Sequence, residues 1–301
     1  MDSKNHHKKS KITKQDTRFS VAEETELMKF LLENLTHKNR NNIKSLLRDR
    51  QIYVDGKITT QFNHLLKPEQ IVEVIWERIP VERQYRGISI IFEDQHLIVI
   101  DKHAGTLSIA TDTEKKQTAY SMLSEHVKLQ NPDNKIFVVH RLDRETSGLM
   151  MFAKNENVQK LLQETWQETI SERTYLAIIE GELDPPQGTY TSYLRESKAL
   201  KMHSSQNPSS GEKAITHFKT LKSSPLFSIV KVNLETGKKN QIRVHLQDIG
   251  HPIIGDKKYG SEINPIGRLG LHAWVLSFKH PITQRDLHFE TNIPAKFSRL
   301  I

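Results

Sequence analysis

The sequence predicts an α+β protein of two domains, with a largely antiparallel sheet in the larger domain. After residue 88, short strand-like segments outnumber helical ones, and the two kinds do not alternate as in a doubly wound parallel sheet. The length of 301 residues suits two domains, and the 36% share of hydrophobic residues is enough for a sizeable core. The pattern changes around residues 80–87, where we place the domain boundary.

The composition narrows the functional classes. The chain has 44 Lys and Arg against 36 Asp and Glu, and this net charge of +8 favours a polyanionic partner. Because it has no Cys, disulfides, thiol nucleophiles and cysteine-ligated metals are excluded. The 15 His lack metal-site spacing, so we expect no metal. No apolar stretch approaches the ~18 residues of a membrane span, and no secretory signal is recognisable, so we expect a cytoplasmic protein without membrane association.

Residues 1–20 are predicted to be a basic, disordered tail. They contain six Lys and Arg, two Asp and very few apolar side chains. A segment of this kind cannot bury enough apolar surface to fold, and its charge attracts phosphates. A solubilising tail without a partner is an equally good interpretation.

Residues 21–79 are predicted to form a small domain of two helices followed by strands. Apolar residues at helical spacing predict helices over Glu24–Leu35 and Asn41–Arg50. Strands are predicted at 51–54, 57–58 and 71–76, the first two joined by an Asp-Gly turn typical of a hairpin. The second helix presents Arg40, Lys44 and Arg48 away from its apolar positions. This layout resembles an S4-type RNA-binding domain, although an ordinary solvated helix surface explains the same charges.

Residues 80–87 are polar and are predicted to be a linker, and residues 88–301 the larger domain. Strands are predicted at 88–92, 96–101, 136–140, 149–153, 173–181, 214–222, 227–234 and 271–278. Helices are predicted at 117–130, 155–169 and 241–249, the last closed by Gly250.

The segment His140–Gly148 carries the strongest chemical signal. It forms a polar turn between two predicted strands, and Asp143 in it is flanked by Arg141 and Arg144. A carboxylate beside guanidinium groups stays ionised at neutral pH and can act as a nucleophile or a base. On the residues alone, a structural ion pair in the turn explains the same pattern and is the more frequent case.

The order of motifs resembles the RluA-type family of pseudouridine synthases. His140-Arg-Leu-Asp-Arg-Glu-Thr-Ser-Gly148 is similar to the family signature. Further matching segments are 92–105, 173–181, 234–245, 251–256 and 271–273. The chain departs from the family pattern at His103, where Pro is usual, at Lys238 for Arg, and at Asn240 for His. Several motifs in the family's order make coincidence a poor explanation.

The resemblance implies the pseudouridine-synthase fold and a cofactor-free isomerisation of uridine to pseudouridine within RNA. It implies that Asp143 is the catalytic aspartate, that Tyr175 packs against the target base, and that Arg243 pairs with the aspartate. It implies that Arg141 fills the gap left by the flipped nucleotide. We expect Arg144 and Lys238 to contact RNA as well.

The chemistry suits these residue types. Extruding a base from a stack costs roughly a few kcal/mol, and a planar guanidinium can stack in its place. A tyrosine offers a flat apolar face with a polar tip, and an arginine can hold a carboxylate with two hydrogen bonds.

Three alternatives stay open. By analogy with family members that have an S4-like domain, we expect a monomer that acts on large-subunit ribosomal RNA, with transfer RNA as the alternative substrate. The departures at His103 and Asn240 leave a catalytically inactive RNA-binding or ribosome-assembly factor as a second hypothesis. A glycosidase needs two acids flanking the bond; Glu145 lies near Asp143, but nothing gives it a role.

Overall fold

The computed structural model describes residues 17–48, 51–76, 85–112 and 114–300. The chain separates into two compact units, residues 1–83 and 84–301, which we call the first and second unit. Each unit has its own hydrophobic core. Among the described residues, no helix is long and apolar enough to cross a membrane.

The first unit combines two short helices with a four-stranded antiparallel sheet. Its elements are β1 (Thr17–Ser20), β2 (Thr25–Glu26), α1 (Leu27–Asn34), α2 (Arg40–Arg48), β3 (Ile52–Val54), β4 (Lys57–Ile58), β5 (Leu65–Leu66) and β6 (Ile71–Val74). The sheet has the order β1-β6-β3-β4, and β2 pairs separately with β5. The apolar face of α2, formed by Ile43, Leu46 and Leu47, is buried in the core with α1 and the sheet.

The predicted extent of the tail is wrong at its end. Residues 17–20 form β1, which pairs with β6 from Thr17↔Val74 to Ser20↔Ile71. Phe19 packs on the core, and the Trp76 indole donates a hydrogen bond of 2.8 Å to the Thr17 hydroxyl. A four-residue strand with a single apolar side chain gives too weak an alternation to be recognised from sequence. The rest of the predicted tail, residues 1–16, lies outside the described residues.

The second unit is built on an eleven-stranded sheet. Its strands are β7 (Ile88–Glu93), β8 (Leu97–Lys102), β9 (Phe137–Val138), β10 (Ser147–Ala153), β11 (Ile170–Glu180), β12 (Gln187–Glu196), β13 (Met202–Ser205), β14 (Glu212–Ser223), β15 (Phe227–Leu234), β16 (Leu271–Lys279) and β17 (Asp286–Glu290). Its helices are α3 (Ala119–Gln130), α4 (Glu156–Glu164), α5 (Trp166–Thr169), α6 (Gln241–Asp248) and α7 (Ala295–Ser298).

The sheet is antiparallel apart from one parallel pair, β10 with β16. The strand order is β13-β12-β14-β15-β11-β16-β10-β8-β7, with β17 added to β16 and β9 to β10. All seven residues of β10 are buried, because α3 packs on one face with Met150 and Phe152 while α4 packs on the other with Leu149 and Met151. This confirms the prediction of an α+β protein with a largely antiparallel sheet.

Several boundaries in the second unit differ from the predicted ones. The predicted linker ends too late, because Tyr85 bridges to Ile88 and its hydroxyl lies 2.8 Å from Nδ1 of His126. Residues 77–84 of the linker region lie outside the described residues. The single helix predicted over 155–169 is two helices, broken where the Thr165 hydroxyl bonds to the carbonyl of Leu161 at 2.8 Å.

Candidate active site

The loop between β9 and β10 is held at its middle by a buried leucine. Leu142 is 5% exposed and packs in the core under α3. The Ser108 hydroxyl donates to its carbonyl at 2.7 Å and accepts from its N–H at 3.2 Å. With Leu142 turned into the core, the flanking Arg141 is exposed and Asp143 partly exposed. The loop therefore presents the guanidinium of Arg141 and the carboxylate of Asp143 on either side of the buried Leu142.

The end of this loop is held by a buried lysine. Lys102 is fully buried, and its ammonium donates to the carbonyls of Arg144 at 3.0 Å, Thr106 at 2.8 Å and His103 at 3.2 Å. Burial lowers the pKa of Lys102 to about 8. At Gly148, with φ of +112°, an added Cβ would lie 2.1 Å from the carbonyl oxygen of Ala273. Only glycine allows β10 to approach β16 so closely here.

Arg243 on α6 connects two carboxylates. Its Nη1 donates to Oδ2 of Asp143 at 2.9 Å. Its Nε and Nη2 donate to the two oxygens of Asp256 at 2.6 and 2.8 Å, and the Asp256 side chain is 1% exposed. Although burial opposes it, the net effect of Asp256 and Asp143 is to raise the pKa of Arg243. The guanidinium therefore stays charged and its plane is fixed.

The departure at Asn240 supports this arrangement. Asn240 precedes α6 in the left-handed conformation, with φ of +53°, which asparagine tolerates better than most residues. Its amide nitrogen donates to the Tyr259 hydroxyl at 2.9 Å, and its amide oxygen accepts from Arg243 at 3.3 Å. The Tyr259 ring lies under the Arg243 guanidinium, 4.9 Å from its centre. Asn240 thus positions the arginine that contacts Asp143.

Tyr175 and Asp143 line the same pocket. The pocket has a volume of about 470 Å³, a size suited to a small organic group. Leu234, Ile242 and Leu271 supply apolar wall, and Tyr175 is partly buried on β11. Burial raises the pKa of the Tyr175 phenol, which keeps it protonated at neutral pH. The pocket combines a flat aromatic ring, apolar walls and one carboxylate held by an arginine.

The other residues singled out from sequence fall in three places. Arg141 and Lys238 also line the pocket, and Lys238 forms an ion pair of 2.9 Å with Glu212. Arg144 does not line it; its guanidinium contacts Glu114 at 3.1 Å and the carbonyl of Gly105 at 3.1 Å. In the first unit, Arg40, Lys44 and Arg48 are exposed on α2.

Sequence reasoning gave no role to Asp256. The Gly-Asp pair at 255–256 is part of a recognised motif, but the carboxylate is thirteen residues beyond Arg243. Only the fold brings the two together.

The sequence model of the family described as RNA pseudouridylate synthase matches residues 96–248. The chain belongs to this family. It is an RNA pseudouridine synthase, an isomerase, and the matched residues include Asp143, Tyr175 and Arg243.

Relatives match over nearly the whole chain. An uncharacterized RNA pseudouridine synthase of Mycoplasma pneumoniae is 33% identical over 93% of this chain and 93% of its own length. A ribosomal large subunit pseudouridine synthase D of Nitrosomonas europaea is 34% identical over 90% of this chain and 82% of its own. Among solved structures, the human RNA pseudouridylate synthase domain containing 4 aligns with a TM-score of 0.57 at 23% identity. That alignment covers 69% of this chain and 90% of the human one, and it shows a shared fold.

Proposed function

We propose that this pseudouridine synthase modifies large-subunit ribosomal RNA, with Asp143 as its catalytic residue. The observation that carries the proposal is the pocket in which Arg243 holds Asp143 at 2.9 Å beside Tyr175. In the described residues, Oδ1 of Asp143 accepts no hydrogen bond from the protein, so one oxygen is left for the substrate. The proposal includes no cofactor, because the reaction requires no external oxidant, reductant or group donor.

The reaction breaks the bond between C1′ of the ribose and N1 of uracil, turns the base, and joins C1′ to C5. The C5 proton is lost and N1 gains one, so the atoms balance without a co-reactant. An ionised Asp143 suits attack on C1′, and it equally suits removal of a sugar proton. Arg243 orients the carboxylate, and Tyr175 provides a face for the base.

Arg141 is the residue we propose to replace the flipped nucleotide in the RNA. It is exposed at the pocket and directly precedes the loop anchor Leu142. Flipping costs roughly a few kcal/mol of stacking, part of which a stacked guanidinium restores. We propose that Lys238 and Arg144 contact phosphates further out, where RNA would compete with their partners Glu212 and Glu114.

The first unit is proposed to be an S4-like RNA-binding domain. Arg40, Lys44 and Arg48 are four residues apart on α2, so they lie on one face of the helix, and all three are exposed. Two relatives of this chain carry the name ribosomal large subunit pseudouridine synthase D, which supports ribosomal RNA as the substrate. Transfer RNA is the competing substrate.

Mapping of pseudouridines in total RNA tests both the activity and the substrate. We expect a strain lacking the gene to lose pseudouridine at one or a few positions of large-subunit ribosomal RNA. Loss of pseudouridine at transfer RNA positions alone would show that the substrate is transfer RNA. An unchanged map in all RNA classes would support the inactive RNA-binding factor.

Asp143→Asn is expected to abolish pseudouridine formation while RNA affinity stays within a few-fold of the wild type. The amide keeps the volume of the side chain but loses the charge that the chemistry needs. The matched control is Asp286→Asn, which removes an exposed carboxylate on β17 outside the pocket. Restoring the deletion strain with each variant and mapping its RNA gives the readout. Full modification with Asp143→Asn would refute the catalytic assignment.

A further inference from the structure

The cations around the pocket differ in whether the protein supplies their counter-ion. Arg243 pairs with Asp143 and Asp256, and Lys238 pairs with Glu212. Lys239 pairs with Glu196 and Arg144 with Glu114. In the part of the chain that the structure describes, Arg141 and Arg173 have no acidic partner. Arg141 is exposed to water, whereas Arg173 is partly buried.

Arg173 lies beside the pocket on the strand that carries Tyr175. Side chains two apart on a strand share a face, so Arg173 and Tyr175 point to the same side of β11. The Arg173 guanidinium lies so near Gly237, which lines the pocket, that an added Cβ there would be 2.7 Å from Nη1. The absence of a side chain at Gly237 leaves the guanidinium next to the pocket wall.

The protein orients this guanidinium but does not satisfy it. Its central carbon lies 5.4 Å from the centroid of the Trp166 ring, which in turn contacts the His140 ring at a centroid distance of 5.1 Å, with the two planes tilted by 49°. Among the described residues, one of its five donors reaches an acceptor, the carbonyl of Leu234, at a long 3.5 Å. Burial lowers the pKa of Arg173, and the positive charge helps burial to lower the pKa of His140 to about 3. A partly desolvated cation without a counter-ion is destabilising unless a ligand provides one.

We propose that Arg173 binds a phosphate group of the RNA strand that carries the target uridine. A guanidinium fixed by a stacked ring can hold two phosphate oxygens with parallel hydrogen bonds. The inference rests on the proposed function, because the anion is a phosphodiester of the substrate RNA. With Arg141 near the vacated base position, Arg173 would position the backbone next to the flipped nucleotide.

The test compares Arg173→Met with the matched control Arg299→Met. Methionine removes the charge but keeps an unbranched stem against Trp166. Arg299 is exposed at the end of α7, whose Phe297 packs with Leu176 and Ile178 on the opposite face of β11. Binding of protein-free large-subunit ribosomal RNA is measured over a potassium chloride series. For Arg173→Met we expect several-fold weaker binding and a log–log salt slope shallower by about 0.7 to 0.9, the value for one phosphate contact.

Arg173→Lys is expected to keep most of the slope, and Arg299→Met all of it. In turnover assays, Arg173→Met should raise KM several-fold with kcat within twofold of the wild type. A wild-type slope in folded Arg173→Met protein would overturn the inference. If that variant does not fold, Gly237→Ala displaces the guanidinium while keeping its charge, and unchanged RNA affinity in that variant would overturn the inference equally.

The two proposals fail in different ways. If the wild-type protein forms no pseudouridine in ribosomal RNA, the proposed function is wrong. If the wild type is active and Arg173→Met binds RNA with an unchanged salt slope, only the proposed role of Arg173 is wrong.

Discussion

At the scale of single residues, the two carboxylates on Arg243 have different tasks. Asp256 is buried and takes two nitrogens of the guanidinium, whereas Asp143 is partly exposed and takes one. Without Asp256, Asp143 would be the single acidic partner that neutralises the charge of Arg243. Because Asp256 supplies a permanent counter-ion, Asp143 keeps an oxygen free and faces the pocket.

Asp256→Ala is expected to lower the free energy of unfolding by about 3 to 5 kcal/mol, because it leaves a largely buried guanidinium with one acidic partner. We also expect a loss of turnover larger than the loss of RNA affinity, since Arg243 would no longer be held in the plane that reaches Asp143. Urea unfolding and single-turnover assays measure the two effects, with Asp286→Ala as the exposed control. Wild-type stability and turnover in Asp256→Ala would show that Asp256 is not needed to hold Arg243.

The sequence predicted the site as far as motif order allows. Asp143, Tyr175, Arg243 and Arg141 were chosen from three separate motifs, and the structure places all four on one pocket. Charge pattern alone could not tell which cations already have a partner. The contact between Arg144 and Glu114 joins residues thirty positions apart, and such ion pairs depend on how the loops fold.

At the scale of elements, the sequence predicted those with strong patterns. The run of apolar residues in β10 predicted a strand because both of its faces are buried. The strands β12, β13 and β17 were missed. They are rich in polar residues, and at most two side chains in any of them are buried. β12 and β13 have no clear alternation to detect, and β17, which alternates polar residues with Leu287 and Phe289, is only five residues long.

The α2 face gives a prediction at this scale. Replacing Arg40, Lys44 and Arg48 by Gln is expected to weaken RNA binding and to make the salt slope shallower by about 2 to 3, because three phosphate contacts are lost. The side chains are exposed, so thermal unfolding should change little. The control replaces Lys29, Lys57 and Lys67, three exposed lysines elsewhere in the first unit, by Gln as well. Equal losses of RNA affinity in both triple variants would show that the α2 face contributes only through the overall positive charge and forms no specific binding surface.

At the scale of the whole molecule, the second unit buries neutral histidines that tie its strands together. His245 is 1% exposed, and its ring nitrogens contact the hydroxyls of Ser192 at 2.9 Å and Thr216 at 2.8 Å. His272 is 2% exposed and lies between the hydroxyls of Ser147 and Thr291 at 2.8 and 2.7 Å. Burial lowers the pKa of each to about 4, from an ordinary value of 6.5.

These histidines make the fold sensitive to mild acid. Between pH 6.5 and 4 the unfolded chain binds protons that the folded protein rejects, so the free energy of unfolding falls as the pH falls. We expect a loss on the order of 1 kcal/mol or more per buried histidine between pH 7 and pH 5, measured by urea unfolding. Glu93, whose pKa is held at about 2, contributes only below pH 4.5 and so outside this interval. His245→Gln should reduce the pH dependence, whereas the exposed His288→Gln should not; equal slopes in both variants would contradict the assignment.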